Sequence, residues 1–79
     1  MEIKNRSEKR IYELIISDIT SNPNGYSTLT NVEIGKQLEL SPITVRDKVI
    51  KLSKAKLLIS LTNHFDEKNK YFARKILKP

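Results

Sequence analysis

Seventy-nine residues with no cysteine make one small domain that has neither a disulfide framework nor a thiolate zinc site. No apolar run approaches the ~20 residues of a membrane span, and the N-terminus lacks the apolar block of a signal peptide, so a soluble, cytoplasmic protein is expected. The net charge of +6 is unevenly spread: residues 1–40 hold five basic against six acidic residues, while residues 41–79 hold ten against three. Such asymmetry points to a polyanionic partner or an anionic membrane surface.

The chain opens with an expected helix over about residues 5–21. Asn5 with Glu8 three residues on forms a capping pair, and Ile11, Leu14, Ile15 and Ile19 make a buried stripe. Asn22-Pro23-Asn24-Gly25 ends it, because proline cannot continue the hydrogen-bond ladder and Asn-Gly accepts the positive φ of a tight turn. Tyr26 to Leu29 favours β structure and is long enough for a single edge strand.

A second helix, about residues 31–38, starts from Thr30-Asn31-Val32-Glu33, the pattern of a capping box. Ile34 and Leu38 face inward. Gly35 at mid-helix needs a reason, since it costs about 1 kcal/mol relative to alanine, and close approach of the next helix supplies one. That third helix, about residues 42–54, follows almost at once: Ser41 caps it and Pro42 takes its first position. So short a gap forces a sharp angle, the geometry of a helix-turn-helix. Val45, Val49 and Leu52 form its core stripe at i, i+4 and i+7, which leaves Ile43, Thr44, Arg46, Asp47, Ile50 and Lys51 facing outward. Residues 57–77 then read as a β-hairpin, its branched apolar residues interrupted by the polar Asp66-Glu67-Lys68-Asn69 near the tip. The expected fold class is mainly α with a small β-hairpin: three helices plus a two- to three-stranded antiparallel sheet.

This order resembles a winged helix-turn-helix domain over nearly the whole chain. Within it, Thr30, Ile34, Gly35, Leu38, Leu40, Ser41, Thr44, Val45, Arg46, Val49, Leu52 and Leu57-Leu58 stand where GntR-type bacterial repressors place comparable residues. The resemblance implies that residues 42–54 enter the major groove of double-stranded DNA and that the hairpin, as a wing, touches the neighbouring backbone or minor groove. Two positions depart from the family. Glu39 and Lys56 stand where glycine is usual, and a non-glycine residue in a left-handed bend costs energy, which leaves open whether both bends follow the family.

The residues themselves suit that chemistry. Ser41, Pro42 and Thr44, with the amides of the first turn, suit a phosphate at a helix N-terminus. Arg46 is the candidate reader of a base edge, its guanidinium matching the two acceptors of guanine, and Ile43 and Ile50 could meet thymine methyls or pack beneath the wing. Asp47 could accept from a cytosine amino group or orient Arg46, but an intrahelical pair with Lys51 is the expectation. Lys48, Lys51, Lys54 and Lys56 supply general attraction. From the wing, Lys68, Lys70 or Arg74 could probe a narrow minor groove, although Asp66 and Glu67 weigh against deep insertion. His64 stands alone and Tyr26, Tyr71 and Phe72 read as packing residues.

An enzyme is not expected. The chain has no phosphate-binding glycine loop, no second histidine, no thiol and no paired carboxylates on a concave scaffold. No cofactor, metal or small-molecule effector site is expected either, since helices and hairpin consume the chain. The expected function is transcriptional regulation by a DNA-binding protein, with a homodimer on a two-fold site because one such domain reads a short half-site. Alternatives are a plasmid or phage replication-initiation or partition factor, and a winged-helix protein-docking module; an anionic membrane surface ranks last. Met1 reads as a natural start, and a further domain beyond Pro79 is left open.

Overall fold

Each helix begins where a capping oxygen sits three residues before an amide. Asn5 Oδ1 accepts from the Glu8 N–H at 3.0 Å and starts α1 (Arg6–Ser21). Thr30 starts α2 (Asn31–Leu38) with a capping box closed in both directions: Glu33 N–H to Thr30 Oγ1 and Thr30 N–H to Glu33 Oε1, each 3.1 Å. Ser41 Oγ accepts from the Thr44 N–H at 3.2 Å and starts α3 (Pro42–Lys54), whose first residue, a proline, gives up no bond by lacking an N–H. The structure is a computed structural model that describes residues 5–66 and 71–79, without the side chains of residues 62–66 and 71–73.

The α1 helix stops at Asn22, and the expected turn follows: the Gly25 N–H bonds the Asn22 carbonyl at 3.0 Å with Gly25 at a φ of 78°. The chain then enters β1 (Tyr26–Ser27), while β2 (Ile59–Asp66) and β3 (Tyr71–Leu77) form the hairpin. All pair antiparallel in the order β1-β3-β2, with Tyr26 opposite Leu77, Ser27 opposite Ile76, and Ile59 also opposite Leu77. Between Leu61 and His64 the register slips, because β2 advances three residues while β3 moves from Lys75 to Ala73. That is a β-bulge, which bends the hairpin and breaks simple alternation. Three helices and this three-stranded sheet, counted among the described residues, form a mainly helical α+β fold compatible with a winged-helix topology.

The core lies where the three helices and the sheet converge. Ile11, Ile15 and Ile19 of α1, Ile34 of α2, Val45, Val49 and Leu52 of α3, Leu58 and Ile76 are buried together. Each such side chain contributes about 2 kcal/mol of burial before chain entropy is counted. Leu14, expected in the α1 stripe, is only half-buried and packs at the edge of the cluster. Ser27 of β1 is fully buried, its hydroxyl accepting locally from the Leu29 N–H at 3.2 Å.

The α2–α3 turn explains the mid-helix glycine. A Cβ on Gly35 would overlap the carbonyl oxygen of Leu40 and approach Pro42 N to 3.7 Å. The close neighbour is thus the turn that launches α3. Glu39 takes the left-handed conformation there, at φ 58° and ψ 45°, and Lys56 does the same after α3, at φ 60°. Both bends that glycine would ease are therefore made, with a charged residue in each.

Candidate nucleic-acid interface

Because Val45, Val49 and Leu52 hold one side of α3 in the core, the other side is presented outward. Ser41, Pro42, Ile43, Arg46, Asp47, Ile50 and Lys51 are exposed, whereas Thr44 and Lys48 are half-buried. Ile43 is 64% exposed and Ile50 44%, so neither packs beneath the wing as a core residue would.

Local hydrogen bonding decides what the first turn can offer. Ser41 Oγ caps Thr44 and also donates to Thr44 Oγ1 at 2.9 Å. Pro42 has no N–H and that of Thr44 is taken, which leaves the Ile43 N–H and the Thr44 hydroxyl to meet an anion.

The charged residues pair differently from the expected pattern. Asp47 bonds its neighbour Arg46, with Oδ1 3.4 Å from Nε and 3.3 Å from Nη2, both side chains about 60% exposed. Lys51 does not pair with Asp47; its Nζ lies 3.8 Å from Glu8 Oε1 of α1, and Lys48 Nζ lies 3.6 Å from the same oxygen. The physical reason is that α1 crosses this flank of α3 and brings a carboxylate to both lysines. Glu8 went unnoticed in the sequence because its amide bond to Asn5 already accounted for it.

The wing residues divide. Lys68 and Lys70 lie outside the described residues. Arg74 does not extend from the wing: its guanidinium donates to the Leu29 carbonyl at 2.7 Å and to Asn31 Oδ1, joining β3 to the start of α2. Burial lowers its pKa from the ordinary arginine value, yet a guanidinium so placed stays charged. A minor-groove contact by Arg74 would have to break both bonds, so its expected role as a probe gives way to a tie within the fold. On the opposite side of the sheet, Lys75 Nζ sits 4.1 Å from the centre of the Tyr26 ring, a cation–π contact.

An open groove of about 520 Å³ runs between α3 and the sheet, lined by Thr30, Asn31, Arg46, Ile50, Ser53 and Arg74 among others. Nothing in the sequence signalled such a space, whose lining comes from α2, α3 and the sheet. Two buried polar atoms beside it, Ser53 Oγ and Arg74 Nε, have no hydrogen-bond partner among the described residues. No helix among the described residues is long and apolar enough to cross a membrane.

Comparison with known proteins gives no match: no family model fits the chain, and no curated protein or solved structure is similar to it.

Proposed function

We propose that the protein binds double-stranded DNA through α3, with the hairpin alongside the duplex, and acts as a transcriptional regulator. The supporting observation is the outward face of α3, where Ser41, Arg46 and Lys51 stand exposed on a helix whose opposite face is locked in the core. The major groove accepts one α-helix, and a helix fixed in this way needs no reordering to enter it. Arg46 reads a guanine edge, Ile43 and Ile50 meet thymine methyls, and Lys51 with the first turn meets phosphate. The resemblance to GntR-type repressors agrees with this reading, as do the excess of cations after residue 40 and the two sharp bends made at Glu39 and Lys56. A homodimer on a two-fold site follows from the small footprint of one domain. Sedimentation of the free and DNA-bound protein tests it, and monomer in both states would exclude it. A replication-initiation or partition role would use the same face at an origin.

The direct test is fluorescence-anisotropy binding to a random-sequence duplex over a salt series. About five neutralised phosphates give a slope of log K against log salt of roughly −4 to −5. Arg46→Ala is expected to weaken duplexes enriched from a random pool more than unselected DNA. Absence of binding at low salt would exclude the reading.

A second reading, protein docking, is favoured by the exposed apolar side chains Val32, Ile43, Ile50, Ile59 and Leu61, which are 44–64% exposed. It is supported if Ile43→Ser and Ile50→Ser abolish capture of a partner while DNA binding is absent from the wild type.

A further inference from the structure

Resting on the DNA-binding reading, we infer that Glu8 of α1 is an internal competitor of phosphate that sets how strongly α3 attracts a duplex irrespective of sequence. The cue is a capping box left half closed. Glu8 receives the Asn5 cap through its amide, but its carboxylate turns to α3 rather than back to the Asn5 N–H. At α2, by contrast, the corresponding Glu33 closes the box. Glu8 Oε1 stands 3.6 Å from Lys48 Nζ and 3.8 Å from Lys51 Nζ.

The burial of the three groups differs in a way that matters. The side chains of Glu8 and Lys48 are 17% and 20% exposed, so their attraction is weakly screened by salt, whereas Lys51 is 67% exposed and free to reach outward. Lys48 is therefore held against α1, and Lys51 is shared between Glu8 and any approaching phosphate. With Asp47 on Arg46, two carboxylates face three of the four cations of α3 among the described residues. Glu8 thus places one negative charge beside the recognition helix that the sequence of the helix does not contain. Sequence-independent attraction, which comes from the positive charge of the helix, is held down, while the contacts of Ile43 and Ile50 are untouched by it.

Glu8→Gln keeps the length and the amide cap and removes the charge. On a random duplex it is expected to bind roughly fivefold tighter at low salt than wild type, with a salt slope steeper by about 0.9, one further counterion released. Lys51→Gln, made in both backgrounds, is expected to lose more affinity when combined with Glu8→Gln than in the wild type, because only without the Glu8 charge is Lys51 fully committed to phosphate. Should Glu8→Gln fold poorly, judged by its thermal melt, Lys51→Gln alone still decides: its slope is expected to fall by clearly less than about 0.9. A Glu8→Gln slope equal to wild type, weaker binding, or a full-contact loss for Lys51→Gln with Glu8 present would overturn the inference and reduce Glu8 to a tie between α1 and α3. Wild type that fails to bind any duplex would overturn the DNA reading itself and this inference with it.

Discussion

The two bends that flank α3 use one hydrogen-bond pattern for different ends. After α2, the Leu40 N–H bonds the Gly35 carbonyl at 2.9 Å around left-handed Glu39; after α3, the Leu57 N–H bonds the Leu52 carbonyl at 3.0 Å around left-handed Lys56. Both are Schellman-type ends, closed by an amide reaching back five residues. The difference lies in the residue whose carbonyl is capped. At the first bend it is Gly35, pressed against the Leu40 carbonyl because α3 starts at once; at the second it is Leu52, a full core side chain, because the chain leaves into a strand. The same end motif therefore does not dictate a glycine. What comes after it does.

Changes at the two capped positions should have large effects for opposite reasons. Gly35→Ala forces a methyl into the Leu40 carbonyl and is expected to destabilise by about 3 kcal/mol, seen as a lower urea midpoint with an unchanged m-value. Leu52→Ala should cost a similar amount, about 3 kcal/mol, by leaving a cavity. The two are told apart by Gly35→Ser, which should be no better than alanine, and Leu52→Met, which should recover most of the loss.

A smaller effect tests what the second bend delivers. The strand pair it launches is fastened to α2 by Arg74, so Arg74→Ala is expected to cost about 2 kcal/mol, through the lost charged hydrogen bonds to Leu29 and Asn31. Hydrogen exchange should then show the sheet opening before α2 and α3. The smallest effects sharpen the likeness of the bends: Glu39→Gly and Lys56→Gly should each stabilise by about 0.5–1 kcal/mol by relieving a left-handed residue, less the added entropy of the unfolded chain. A gain at one and a loss at the other in thermal melts would show that the bends are not equivalent.

Much of this architecture was readable because its causes are local. Asn5, Thr30 and Ser41 each cap a helix through an amide three residues on, so the helix starts follow from the sequence. The apolar stripe of α3 likewise fixed which of its faces is outward. What stayed hidden depends on contacts between distant segments. The pairing of Glu8 with Lys48 and Lys51 requires knowing how α1 crosses α3, 40 residues away in sequence for the nearer lysine. The inward turn of Arg74 obeys the alternation of β3, which sets it on the face of buried Ile76, but Tyr71-Phe72-Ala73 is apolar without alternation and so does not mark that face in the sequence. The groove beside Ser53 is lined by residues from separate elements and leaves no periodic trace.

The most direct test of DNA recognition by α3 is a map of backbone amide shifts by two-dimensional NMR as a short random-sequence duplex is added to the protein. The expected result is that the largest changes cluster from Ser41 to Lys51, on the outward face of α3, with smaller ones along the hairpin and none at the buried α1 positions Ile11 and Ile15. Shifts confined to other surfaces, or none at low salt, would contradict the account.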